Sequence, residues 1–196
     1  MAIRDNLNNN LNMRYDEEND MILIYCDGEW KEWQLAGFKP ILSLIPILTA
    51  DNGRIVSNLS SSIYTGALFN FFNGIYTLEC TFNSYTPTKD SYIGYDFGKT
   101  VSLSYVKIRM DGQSAYAQYN WNCKLQYSDD GINWKDCSKE YTLNGYTPIE
   151  YELKCNSLTK CEYFRVLFTG GTDYLHLGGN YQMPLAEISA YGREES

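Results

Sequence analysis

The stretch LQYSDDGINWKDC, residues 125–137, decides the fold class. With the residues before it (WNCKLQYS), Cys123, Leu125 and Tyr127 alternate with polar neighbours, the period of a strand with one buried face. Asp130-Gly131 is a dipeptide suited to closing a tight hairpin, and Trp134 supplies a large anchor on the return strand. The same pattern recurs along the chain. Val106, Ile108 and Met110 alternate with Lys107 and Arg109, Phe164, Val166 and Phe168 with Arg165, and Ala186, Ile188 and Ala190 with Glu187 and Ser189. Turn signals lie between these runs: Asp111-Gly112, Gly170-Gly171 and Gly178-Gly179. No stretch sustains a helical period, and no internal repeat is visible. The pattern predicts an all-β, antiparallel β-sandwich.

Composition narrows what such a domain does. The 196 residues carry 24 acidic and 16 basic side chains, a net charge of −8. That balance repels nucleic acid and anionic lipid, so neither a nucleic-acid partner nor membrane insertion is expected. Tyr (18), Phe (8) and Trp (4) make up 15% of the chain, more than a core of this size requires. Tyr in such numbers suits strands and also ligand-facing surfaces. The longest apolar run, Ile41 to Leu48, contains Pro46 and is far too short to span a bilayer. The polar, Asn-rich start has no apolar signal core, so synthesis without export is the expectation. Six cysteines, none spaced C-x-x-C, and one histidine give a zinc site poor support; free thiols are expected.

The first fifty residues hold 8 acids and 4 bases, so half the net charge sits in the first quarter of the chain. There, Met21–Cys26 and Glu29–Leu35 flank Asp27-Gly28, a hairpin signature. A lone hairpin is marginally stable and must pack on something else. The expected organisation is a docking arm and hairpin over 1–44, a sandwich over 45–192 and a tail over 193–196.

Four segments, in order, resemble the discoidin, or coagulation factor five/eight type C, family of galactose-binding-like jelly rolls. They are IPILTADNGRIVSNLSSSIYTGALFNFFNG (45–74), SYIGYDFGKTVSLSYVKI (91–108), LQYSDDGINWKDC (125–137), and YFRVLFTG (163–170) with LAEISAYG (185–192). The resemblance implies a jelly-roll β-sandwich over about three-quarters of the chain. The Ile-Pro before Leu-Thr and the short N-terminal module are similar to discoidin domains of bacteriophage tail and virion proteins.

Members of this family often hold a structural calcium ion, and the resemblance places it on Phe72, Asn73 and Thr77 (or Thr81) with Glu187. Asn73 stands where the family has an Asp, which removes one charge from a site that gains affinity from charge. The family binds ligands through loops at one end of the barrel. Those loops correspond here to Ile75–Asp90, Asp111–Asn120 and Thr172–Pro184. They carry Tyr76, Phe82, Asn83, Tyr85, Gln113, Tyr116, Tyr119, Tyr174, His176, Asn180 and Tyr181, with Arg109 on the strand before the second loop. Rings stack on sugar faces while amides and charges fix hydroxyls, so this composition suits a glycan. No motif places a cysteine beside His176, and no catalytic residue is expected.

The expected function is a non-catalytic phage virion protein, exposed on the particle, homo-oligomeric and docked to other virion proteins through residues 1–48, whose sandwich binds cell-surface carbohydrate for adhesion. The alternatives are a purely structural virion protein with no glycan ligand and a bacterial carbohydrate-binding module.

Overall fold

The computed structural model describes residues 2–4, 10–16, 21–26, 28–33, 41–77, 79–82, 89–111, 120–144, 148–172 and 183–195. The chain forms two compact units, Met1–Pro40 and Ile41–Ser196.

The N-terminal unit is a four-stranded antiparallel meander: β1 (Ala2–Arg4), β2 (Asn10–Asp16), β3 (Met21–Cys26) and β4 (Glu29–Trp33). The expected hairpin is there, with Cys26 opposite Glu29 and Gly28 at φ +86° in the turn. Two further strands extend it into a sheet, which supplies the pairing a lone hairpin lacks. Tyr25 and Trp30 form a cross-strand ring pair 5.2 Å apart.

The larger unit is a β-sandwich built around two long strands, β9 (Tyr92–Asp111) and β13 (Pro148–Thr172). Its other ladder strands are β5 (Leu42–Ser43), β6 (Ile55–Ser57), β10 (Asn120–Ser128), β11 (Lys135–Asp136), β12 (Tyr141–Asn144) and β14 (Leu185–Glu194). A short pair, β7 (Ile63–Thr65) and β8 (Thr81–Phe82), lies apart from that ladder. β13 follows β9 along one edge, but the pairing jumps from Lys154 to Thr159 and shifts again between Cys161 and Tyr163. On its other edge, β9 pairs with β6 through Ile93–Tyr95 and with β14 through Val101–Met110. Each long strand therefore belongs to two sub-sheets joined at the bulges, which is how one ladder folds over itself.

At that bend Asp96 Oδ1 accepts the Gly98 N–H at 2.6 Å, and Gly98 takes φ +67°, a conformation a side chain would strain. The alternating residues meet in the interior as the pattern predicts. Val106, Ile108, Met110, Leu125, Phe164, Val166, Phe168 and Ile188 are all buried, and Phe97 stacks on Phe164 at 5.5 Å.

Two local expectations change. Asp130-Gly131 does not close a tight two-residue hairpin: β10 and β11 are joined by the longer loop 129–134, organised by the Asp130 side chain. Gly170-Gly171 is not a loop either. Both residues pair within β13, opposite a bulge at Asn122/Cys123 of β10. The apolar run near the start of this unit is likewise split: Ile41, Leu42 and Ile47 are exposed, whereas Ile45 and Leu48 enter the core.

Candidate functional site

Strand register brings the loop anchors together at one end of the sandwich. Asp111, where β9 ends, lies opposite Pro148, where β13 begins, and its N–H donates to the Pro184 carbonyl just before β14. Asn120, where β10 begins, lies opposite both Thr172 and Asn144. The residues that flank 112–119, 145–147 and 173–182 therefore all lie at this end. Gly74 and Asp90 are held there too: Gly74 N–H donates to Glu187 near the start of β14, and Asp90 N–H donates to the Phe168 carbonyl.

Beside this end, β14 sets the chemistry by its alternation. Ala186, Ile188 and Ala190 pack inward, leaving Glu187, Ser189 and Tyr191 on the other face. A short 3-10 turn (Leu68–Phe72) packs against that strand, and the Phe72 carbonyl accepts the Leu48 N–H at 2.9 Å. Ser43, on edge strand β5, lies opposite Tyr191. These pieces enclose a cleft of about 190 Å³ lined by residues that include Ser43, Ile47, Tyr76, Glu187, Ser189 and Tyr191. Tyr76 is 53% exposed, so its ring remains available to a ligand. Tyr191 already stacks on Tyr105 at 4.8 Å.

Glu187 is the unusual group. It is only 5% exposed, and its carboxylate accepts the Gly74 N–H at 3.1 Å and a long Ser189 hydroxyl bond at 3.4 Å. Arg109 lies opposite it across the β9–β14 ladder, yet no ion pair joins them among the described residues. The Arg109 Nε is itself buried without a hydrogen-bond partner. Burial pushes the Glu187 carboxyl up to about 8, against which the Gly74 amide, the Ser189 hydroxyl and the Asn73 amide pull only partly. Near neutral pH the group is largely protonated. It can donate a hydrogen bond, or exchange its proton for a cation.

The calcium reading meets this geometry only in part. Glu187 is a suitable buried carboxylate, and Phe72 offers a carbonyl oxygen. Asn73 does not replace the Asp: its Oδ1 accepts the Ile75 N–H at 2.9 Å and its Nδ2 donates to Glu79 at 2.7 Å. Thr77 is exposed, and no cluster of three or more acidic, His or Cys groups able to hold a metal occurs among the described residues. Calcium takes six to eight oxygens, and the set seen here does not fit that requirement.

Of the sugar-site candidates, Tyr76 stands at the rim of the cleft and Arg109 lies in the ladder behind Glu187. Phe82 is a correction. Its ring is fully buried and stacks on Phe71 at 5.1 Å, because β8 pairs with β7 and turns that side chain into the core. Asn83, Tyr85, Gln113, Tyr116, Tyr119, Tyr174, His176, Asn180 and Tyr181 lie outside the described residues. Ser43, Ser189 and Tyr191 were missed from the sequence. For the last two the signal was present in LAEISAYG, where they occupy the phase opposite Ile188 and Ala190.

A family model described as the F5/8 type C domain matches residues 60–179. The chain belongs to that family. No curated protein sequence matches it. Among solved structures, the domain is similar to the CBM32 of AlyQ in complex with 4,5-unsaturated mannuronic acid, at 13% identity and TM-score 0.52, covering 76% of this chain and 97% of that one. It is also similar to the C-terminal domain of a chitobiase from Bacteroides fragilis (13% identity, 73% and 96% covered, TM-score 0.52). A fucolectin from striped bass, Morone saxatilis, is 16% identical with TM-score 0.50, covering 73% of this chain and 47% of that one. The chain spans only 35% of a truncated AlyQ that carries CBM32 and alginate lyase domains (14% identity, 81% of this chain, TM-score 0.55). At these identities the likeness establishes the shared β-sandwich fold.

Proposed function

We propose that this F5/8 type C domain is a non-catalytic carbohydrate-binding module that takes a sugar unit at the loop end described above, with Tyr76 as a stacking platform. The observation that carries this reading is the exposed Tyr76 ring at the rim of a cleft with Ser43 and Ser189 hydroxyls and the Glu187 carboxyl. An apolar ring face beside a few convergent polar groups is what a pyranose requires. Tyr76→Ala should weaken binding about tenfold while leaving the melting temperature in place. The check is titration against a panel of neutral and acidic sugars. A folded wild-type protein silent across the whole panel would sink the proposal.

The wider setting we propose is a phage virion. There the domain is displayed on the particle surface for adhesion, as a homo-oligomer docked to other virion proteins through residues 1–48. What favours it is that Met1–Pro40 forms a compact unit of its own, separate from the sandwich. Light scattering of the full chain and of a chain lacking residues 1–40 tests this. The oligomer should be lost with the deletion, and a monomer in both cases would remove the assembly role.

A further inference from the structure

Away from the cleft, β13 leaves its ladder with β9 at Lys154 and rejoins it at Thr159. This places Cys155 at the start of an excursion. Asn156, the next residue, donates its N–H to the Cys137 carbonyl at 2.6 Å, and Cys137 N–H donates to the Leu125 carbonyl at 3.0 Å. The two cysteine backbones are thus already fixed beside each other by the sheet. Their sulfurs lie 3.6 Å apart, and both are free thiols. Cys137 is buried whereas Cys155 is partly exposed, so only Cys155 meets a reagent from solvent. Cys161 is also close by but wholly buried.

We propose that Cys137 and Cys155 form a thiol pair that a low-molecular-weight disulfide oxidises to an intramolecular disulfide, tying the β13 excursion to the segment after β11. The Cys155 thiolate attacks one sulfur of the small disulfide, breaking its S–S bond and releasing one small thiolate, which takes up a proton. Cys137 then gives up its proton and attacks the Cys155 sulfur of the mixed disulfide. The second small thiol leaves, so the protein loses two protons and two electrons and the small disulfide gains both. Exposure assigns the roles in this order, since Cys155 is partly exposed and Cys137 is buried. The Cys137 hydrogen bond holds the Cys155 thiol below its ordinary value, helped by Thr159, while that same bond and burial push Cys137 up. Closure takes the sulfurs from 3.6 Å to bonding distance.

The test is incubation of the native full chain with oxidised glutathione, followed by intact mass and a peptide map. The expected product lacks two hydrogens, carries a Cys137–Cys155 link and melts about 5–10 °C higher than the reduced form. Cys155→Ser should leave the protein unmodified. Cys137→Ser should stop at one glutathione attached to Cys155, a product that cannot resolve. Cys161→Ser should still give the link. Wild-type protein that keeps all its thiols, remains stably glutathionylated at Cys155, or links Cys155 to Cys161 would overturn the proposal, and the wild-type map alone suffices if a variant does not fold.

Discussion

Two carboxylates of the sandwich, Asp130 in loop 129–134 and Glu187 near the start of β14, are in opposite states. Asp130 lies at the surface of loop 129–134 and is saturated. It accepts the Ile132 and Asn133 N–H groups at 2.8 and 2.7 Å, the Asn133 side-chain amide at 2.7 Å and the Ser128 hydroxyl at 2.9 Å. The Asn133 bonds, with those from Ile132 and Ser128, hold its carboxyl well below the usual carboxylate range. Glu187 is buried, and the Gly74 and Asn73 amides and a long Ser189 bond offset its burial only partly, while the arginine opposite it across the ladder forms no ion pair with it. A carboxylate whose acceptor sites are filled by its own loop builds structure. One that is dry enough to hold its proton has capacity left for a ligand, and it is the one beside the cleft.

The largest effect that tests this contrast is a stability slope with pH. Folded Glu187 keeps its proton up to about pH 8, whereas an unfolded chain releases it near the ordinary value of 4.5. Between those limits the folded state binds more protons, so stability must fall as pH rises, by at most about 1.4 kcal/mol per pH unit. The stabilising contribution is fully present below the ordinary value and is lost by the time pH passes the folded one. Glu187→Gln keeps an acceptor for the Gly74 amide and removes the titration, so its denaturant midpoint should be nearly flat from pH 5 to 8. A wild-type midpoint that stays flat over this range would show that Glu187 is not held protonated.

The complementary limb belongs to Asp130 and is smaller, because the group is open to solvent. Its folded value is depressed, so its contribution is present above the ordinary carboxylate range and is lost as pH drops below it. Asp130→Ala should lower the melting temperature at pH 7, remove part of the acid limb below pH 4, and leave the slope between pH 5 and 8 untouched. Melts of the single and double variants at three pH values separate the two carboxylates. If changing Asp130 alters the slope near neutrality, the two carboxylates are coupled and the contrast fails.

How much of this was legible depends on whether the signal was local. Strand alternation was readable because burial on one face imposes a period of two. Hence Val106, Ile108 and Met110, or Phe164, Val166 and Phe168, could be placed inward before any geometry was known. Asp130-Gly131 marked a turn but not its length, since four acceptor bonds from one side chain can close a wider loop than the dipeptide alone suggests. Phe82 read as a loop ring and proved to be core, because its pairing with Ile63 joins segments that only the fold brings together. Glu187 was found through family resemblance. Its dry environment depends on the turn at Asn73 and Gly74, the latter 113 residues away, and no local pattern encodes that. The Cys137–Cys155 approach was hidden for the same reason. It arises from a bulge in β13, and bulges leave little trace in a periodicity.

The smallest expected effect asks whether a site around the buried carboxylate can be completed. In the wild type, Asn73 commits its oxygen to Ile75 and its amide to Glu79, so adding calcium should move the melting temperature by less than about 1 °C. Asn73→Asp keeps the acceptor for Ile75 but replaces the amide donor with a charge facing Glu79. In chelator this variant should therefore melt below the wild type. Calcium would then meet two carboxylates on this loop and Glu187 beneath it, and should raise the melting temperature by about 2–4 °C at millimolar concentration. The gain should be larger at pH 8 than at pH 6, because the ion must displace the proton that burial keeps on Glu187. Magnesium, which demands a tighter octahedral shell, should not substitute. Calcium stabilising the wild type as strongly as the variant would mean that the Asn73 amide yields its place readily. Glu187 would then be a metal ligand held in waiting, and its protonation the state of an unfilled site.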